Sequence, residues 1–599
     1  MGSLILLAIL AADPDGAALY RERCAACHDA PGQTRAPSAS ALKMMSPENV
    51  VRALETGLMR EQGSALTLPQ KRAIAEAVTG KISSAKISAP ACADSKKPFS
   101  PTEADWNGWG NGLENTRFQR NPGLTAAQLP RLKLKWAFAY ADTFTANGQP
   151  SIVGGRLFVA SANRNIYSLD ARTGCQYWSF ESEAPVRTAI TVVNVKGSRP
   201  SAFFGDRRGN IYAVDASNGE LLWKKKSMDH PRAGITGAPV FYGAALFVPV
   251  TAGEEGAAID PKYECCTGRG GVVAFDGAGK KLWQAYSIPE QPRIVEKNSS
   301  GTPVWGPSGA SIWSAPTIDP EKQAVYVATG DNFTHPDSKT SDAILAFSLK
   351  TGDMLWSRQL LAGDVFSTAC VTPTKQGCPD NAGPDFDFGS SPILIKLANG
   401  MRALVIGQKS GIVHAIDPDN QGAILWQTRV GRGGVLGGVQ WGSAYDGKRV
   451  FVAVSDVSFK EFSLGRGGTR VLDPKLGGGL FALDPATGAK IWSTPAPPIC
   501  GDRPNCSPAQ SAAVSAIPGA VFSGSLDGHL RAYSSADGKI IWDFDTAREF
   551  AAVNGAGKGG SMDGPGPVIS GGMVFVNSGY GSFGGLPGNV LLALSIDGK

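Results

Sequence analysis

The sequence predicts an all-β eight-bladed propeller preceded by a small all-α domain. Three observations carry this. A short pattern recurs seven times: an apolar strand ending in Ala-x-Asp or a relative, a glycine turn, then Trp. An eighth copy is split between the two ends of the repeating region. The first ninety residues lack the pattern and read instead as short amphipathic helices.

The elements follow in chain order. Leu4 to Ala12 is the only long apolar stretch. It is too short to span a bilayer. It has the length of a signal-peptide core and ends in Ala-Ala, with no Lys or Arg before it. Residues 1–13 are therefore expected to be a secretion signal whose start is truncated, which places the protein in the periplasm or outside the cell.

Residues 14–80 are expected to form a c-type cytochrome domain. Cys24-Ala-Ala-Cys27-His28 has the spacing by which two thiols bond to the vinyl groups of haem c and the next residue gives an imidazole to iron. Helices are expected from Ser46 to Gly57 and from Leu68 to Thr79. No other His occurs before His230, so the second axial ligand is expected to be a thioether. Met59 is the first candidate, between the helices; Met44 and Met45 compete and read more easily as packing residues. Met/His ligation suits electron transfer. Residues 81–104 are rich in Ser, Ala, Lys and Pro at their start and are expected to be a linker.

The repeats fill residues 105–599. They end at Trp178, Trp223, Trp283, Trp356, Trp426, Trp492 and Trp542. Their first parts include Asp170…Gly174, Asp215…Gly219, Asp276, Gly352, Asp417, Asp484…Gly488 and Gly538. Trp136 has the Trp end without the beginning, and Ala593 to Gly598 has the beginning without the Trp. Joining first strand to last removes the open seam of a ring of sheets, which explains the split copy. Trp spacings of 42 to 73 residues imply four-stranded blades, the longer intervals carrying insertions.

Composition agrees. Apolar residues at 42% and charged residues at 18% describe a globular chain, and 74 glycines with 40 prolines suit many turns between short strands. A net charge of +6 without a basic run argues against nucleic acid as a partner. Ten cysteines fit an oxidising compartment. Cys370/Cys378 and Cys500/Cys506 each bracket a loop, and Cys92/Cys175 would tie the linker to the propeller; sequence leaves the connectivity open.

These repeats resemble those of quinoprotein alcohol dehydrogenases, which hold pyrroloquinoline quinone (PQQ) and calcium at the propeller axis. With a cytochrome in front, the chain is most similar to the cytochrome-fused polyvinyl-alcohol dehydrogenase family. Trp106-Asn-Gly-Trp109…Asn115-Thr-Arg-Phe118, Glu254-Glu255 and Cys265-Cys266 carry that likeness.

The resemblance implies site residues. Cys265-Cys266 would form a vicinal disulfide over PQQ, and Trp313 its floor. Glu254 or Glu255, with Asp331 or Asn332, would ligate calcium. Asp385 would be the catalytic base, with Asp387 as second choice. Lys409 would stand near the quinone's ortho-dione, and Thr236 or Arg232 would hold a PQQ carboxylate. It further implies oxidation of the secondary alcohols of polyvinyl alcohol, with hydride passing to PQQ and electrons to the fused haem, then to an external cytochrome c or oxidase. Two alternatives stand beside this: a dehydrogenase of small alcohols, and a non-catalytic propeller scaffold bearing a cytochrome.

Overall fold

The computed structural model describes residues 14–598, apart from 30–35, 46, 56–57, 81–88, 95–99, 196–198 and 465–468. The signal-like segment lies outside the described residues. No described helix is long and apolar enough to cross a membrane.

The N-terminal part is helical throughout its described elements: α1 Gly16–Arg23, α2 Ala25–His28, α3 Ala39–Leu42, α4 Pro47–Glu55, α5 Arg60–Gly63 and α6 Leu68–Thr79. Asp15 caps α1 by accepting from the amides of Ala17 and Ala18. Thr67 and Gln70 form a reciprocal capping box on α6, and Gly80 ends that helix in the left-handed region. The apolar faces meet at Leu42, Val50, Leu54, Leu66, Ile74, Ala75 and Val78. A Cβ on Gly16 would lie 1.9 Å from the Ala73 carbonyl, so α1 and α6 cross at a contact only glycine permits.

The remainder is a ring of eight four-stranded antiparallel sheets. Seven blades are continuous in sequence, running from 151–181 to 515–545. The eighth is composite: Lys133–Ala139 pairs antiparallel with Val590–Ser595, beside Met573–Ser578 and Val568–Ser570. The split repeat thus closes the ring as expected, with Trp136 opposite Ala593.

Each repeat Trp lies on an outer strand and docks on the next blade. Trp178 Nε1 donates to the Ala216 carbonyl at 3.0 Å, and Trp136 Nε1 to Ala171 at 3.1 Å across the closure. A Cβ on Gly219, whose φ is +79°, would come within 2.8 Å of the Trp178 ring. That glycine is needed both for its turn and for the indole lying on it. The preceding Asp fixes the turn: Asp170 Oδ1 accepts from the amides of Arg172 and Thr173.

A strap, Trp106–Phe118, crosses the ring's underside. Arg117 is fully buried there. It donates to the Val514 and Trp109 carbonyls, to Gln149 Oε1 and to Ser515 Oγ. Burial pushes its guanidinium down to about 9. The eight cysteines other than Cys24 and Cys27 form four disulfides: Cys92–Cys175, Cys265–Cys266, Cys370–Cys378 and Cys500–Cys506.

Candidate active site

The segments leading into the inner strands of the blades bring residues to the hub of the ring. Thr236, Trp313 and Arg187 stand at equivalent places, each two residues before an Ala that packs above the strap's Trp109. Trp313 packs its ring edge directly on Gly389: a Cβ there would sit 2.3 Å from Trp313 Cη2. Trp441 meets Trp313 edge-on, with ring centroids 5.2 Å apart. The Trp441 indole donates to Asp563 Oδ1 at 2.8 Å. The Arg187 guanidinium stands 5.0 Å from the Trp441 ring and 5.9 Å from that of Trp313. It makes one long hydrogen bond, Nε to the Thr236 carbonyl at 3.5 Å, and burial pushes it down to about 10.

Beside Trp313 is a buried acidic cluster. Ligand oxygens of Asp331, Asp385 and Asp387 all lie within 4.8 Å of one another. Lys409 Nζ donates to Asp385 Oδ1 at 2.8 Å and to Asp387 Oδ2 at 2.6 Å, and stands 5.5 Å from the Trp313 ring. Asp387 Oδ1 accepts from the Asp331 amide at 2.8 Å. The loop carrying Asp385 folds around Asp364, which accepts from the amides of Asp385 and Phe386. That fold holds Asp385 at φ +59°, a conformation Asp tolerates better than most residues.

Burial drives the electrostatics. It pushes the Asp331 and Asp385 carboxyls well above the usual range, and their mutual repulsion with Asp387 and Glu255 adds to this. Lys409 opposes the rise at Asp385. Burial would also raise Asp387, but Lys409 and the Asp331 amide bring it below its ordinary value. Burial would lower Lys409, yet its two carboxylate partners hold it well above the usual lysine range.

The structure separates the paired alternatives. Glu255 belongs with the acids: it contributes repulsion at both Asp331 and Asp385, and its Oε1 accepts from Thr368 Oγ1 at 3.0 Å. Glu254 is turned away. Its carboxylate accepts from Tyr263 Oη at 2.7 Å and from the amides of Thr267 and Gly268. Asn332 is committed elsewhere, accepting from the Ser338 amide and donating to the Ser308 carbonyl. Arg232 is exposed and lies over Tyr263 at 4.7 Å, outside the hub. Cys265 and Cys266 pack with Ala252, Ala258, Phe333 and Ala369, next to the acid-bearing segments.

The family described as "PQQ: Glucose/ethanol/alcohol dehydrogenase, beta-propeller domain" matches residues 106–375. A second, described as "Outer membrane protein assembly factor BamB", matches 409–494 and 476–598. The chain is 42% identical to a polyvinylalcohol dehydrogenase of Pseudomonas sp over 98% of its own length and 94% of that protein. It is 38% identical to one from Sphingopyxis sp. strain 113P3, over 98% and 93%. The chain belongs to the polyvinyl-alcohol dehydrogenase family. It is therefore a PQQ-dependent alcohol dehydrogenase, and the alternative of a non-catalytic propeller scaffold is set aside.

At the level of fold, a solved quinohemoprotein alcohol dehydrogenase from Pseudomonas putida superimposes with a TM-score of 0.60 at 17% identity, covering 87% of this chain and 83% of that one. Within this polyvinyl-alcohol dehydrogenase relative, sequence reading missed Arg187, Trp441 and Asn147. The available signal was positional: Arg187-Thr-Ala, Thr236-Gly-Ala and Trp313-Ser-Ala share one register at the hub.

Proposed function

We propose that this dehydrogenase oxidises the secondary alcohols of a polyvinyl-type polymer in the periplasm or outside the cell. Its electrons would leave through a haem c on residues 14–80, joined by the linker 81–104 to the propeller 105–599, and then reach an external cytochrome c or oxidase. The observation that carries the reading is the convergence of Asp331, Asp385, Asp387 and Lys409 beside a flat Trp313 in the hub.

The residues fit PQQ and a hard cation. Among the described residues, Thr236 Oγ1, Thr188 Oγ1, Asn147 Oδ1 and Asp331 Oδ2 are buried without a hydrogen-bond partner. The first three stand with Arg187 around the hub, where the two threonine hydroxyls and the guanidinium suit the carboxylates of a polar planar guest and Asn147 Oδ1 suits an N–H donor on it. Trp313 offers that guest a flat apolar face. Glu255 and Asp331 are the hard oxygen donors calcium takes, with Asp387 as a further carboxylate. The hub is narrow at these side-chain positions, about 40 Å³. Seating a tricyclic guest thus entails rotation of a long lining side chain such as Arg187.

When bound, PQQ supplies the two-electron oxidant and the cation supplies Lewis-acid polarisation. The chain's own groups do the rest. Asp385 takes the hydroxyl proton at Oδ2, since Lys409 occupies Oδ1. Lys409 keeps Asp387 ionised and places a positive charge over the Trp313 face. Trp313 and Trp441 orient the guest and exclude water from the chamber.

The N-terminal helices fit haem c. His28 is buried, and its Nδ1 lies 2.6 Å from the Pro37 carbonyl, which fixes the ring and leaves Nε2 for iron. Cys24 and Cys27 remain outside the disulfide set. Met59 and Met45 both pack against the helical core and stand with Met44 as candidate sixth ligands.

Purified protein loaded with PQQ and calcium tests the reading. Addition of a polyvinyl alcohol is expected to reduce the haem, seen as its α-band absorbance. A haem that stays oxidised with every alcohol overturns it. Metal analysis of the protein as purified, before any loading, distinguishes calcium from a trivalent cation, which four carboxylates against one lysine would also attract.

Replacing the two adjacent glutamates separates their roles. Glu255→Ala is expected to raise the calcium requirement for activity about tenfold or more, with little change in thermal stability. Glu254→Ala is expected to lower stability by about 1–3 kcal/mol, since it strips acceptors from two buried amides, with little effect on calcium affinity. Calcium titration and thermal melting read the two effects.

A further inference from the structure

The longest interval between docking tryptophans, Trp283 to Trp356, carries a hairpin formed by Arg293–Lys297 and Pro303–Gly306. It is held at three points. The Trp305 amide donates to the Cys265 carbonyl at 2.7 Å, and the Cys266 amide returns to the Trp305 carbonyl at 3.1 Å. Asn298 Nδ2 donates to the Pro261 carbonyl at 2.8 Å, and Gln376 Nε2 to Ser300 Oγ at 3.1 Å. Gln376 belongs to the loop closed by Cys370–Cys378. Hairpin and loop together wall a groove of about 330 Å³.

The floor of this groove is formed by Cys265 and Phe333. Both belong to the apolar cluster that abuts the acid-bearing segments: Phe333 is two residues after Asp331, and Ala258, also in the lining, is three after Glu255. A second open groove of about 780 Å³ shares Asp260 and Tyr263 with the first. The open surface on this side, over the apolar cluster of Cys265 and Phe333, is therefore elongated.

The lining is mixed. Apolar Phe333, Val304 and Pro379 line the groove together with polar and charged Ser299, Lys375 and Asp380. A small alcohol has no use for such length. A chain of alternating methylene and carbinol carbons is itself apolar and hydroxylated by turns, and matches both kinds of wall.

We propose that the groove between the 293–306 hairpin and the Cys370–Cys378 loop binds the stretch of polymeric secondary alcohol that flanks the reacting carbinol, and so sets the preference for polymer over small alcohol. This rests on the alcohol-oxidising reading of the hub and deepens it. Ser299, Lys375 and Gln376 are its specificity-determining positions. All three are exposed, and none belongs to the cluster of Asp331, Asp385, Asp387 and Lys409.

Ser299→Trp in the PQQ- and calcium-loaded enzyme fills the groove from the hairpin side, and Lys375→Trp fills it from the loop side. Each is expected to raise KM for polyvinyl alcohol by about tenfold or more, while kcat/KM for 2,4-pentanediol stays within about twofold. Equal losses on both substrates, or no change on either, overturn the proposal. A wild-type enzyme that oxidises pentanediol and leaves the polymer untouched overturns it too, with the hub reading intact. Failure on every alcohol instead removes the hub reading, and the groove with it.

Discussion

Asp385→Asn is expected to lower kcat by about 10²- to 10⁴-fold, the range for loss of a positioned general base, while PQQ remains bound. The asparagine keeps the shape and still accepts from Lys409, so the cluster keeps its packing. It loses the capacity to take a proton. The same group predicts the pH profile. Burial raises the folded Asp385 carboxyl above its ordinary value, so the base becomes competent only as pH rises through that higher value. The limb of kcat/KM is therefore expected on the alkaline side of the ordinary Asp range, rising with pH. Stopped-flow haem reduction against pH, with PQQ content measured in parallel, checks both parts. A variant that keeps wild-type turnover removes Asp385 from the role and leaves Asp387 as the candidate.

Lys409→Met is expected to be the most destabilising single change in the hub, by about 3–5 kcal/mol, because it leaves a buried ion cluster without its cation. Lys409 is the common partner of Asp385 Oδ1 and Asp387 Oδ2, and all three side chains are nearly inaccessible to solvent. Without it, both carboxyls rise and Asp387 no longer stays ionised at its present low value. The pH–rate limb then shifts to higher pH, which a purely structural role would not produce. Lys409→Arg keeps the charge with a wider head group and is expected to retain more stability than activity. Thermal melting with and without calcium, together with the pH profile, separates the two contributions.

Much of the ring was legible because its signals are local. Asp170, Gly174 and Trp178 lie within nine residues, and the turn physics that joins them operates within one hairpin and its neighbour. The split copy was legible for the same reason, since Trp136 and Ala593 each keep half of the pattern. The hub was harder. Its residues come from separate blades, each at one position in a loop leading to an inner strand, so only the short register shared by Arg187-Thr-Ala, Thr236-Gly-Ala and Trp313-Ser-Ala marks them, and Trp441-Gly-Ser departs even from that. Adjacent alternatives also depend on facts that composition does not carry. Glu254 and Glu255 differ by one residue, and the turn at Glu255–Ile259 sends one to the loop amides of Thr267 and Gly268 and the other toward the acids. Asn332 matched the expected motif, but its amide is consumed by Ser338 and Ser308, which only the assembled blade brings near.

The Cys92–Cys175 bridge has a mechanical consequence. The segment around Cys92 also adds to the outer edge of the first blade, where the Gln176 amide donates to the Pro90 carbonyl and the Cys92 amide to that of Gln176. The helical unit therefore hangs from the rim at Pro90 and not from the strap beneath the ring. A span from Gly80 to Pro90 reaches at most about 35 Å when fully extended. The bridge therefore moors the helical unit's trailing end to one sector of the ring's outer edge.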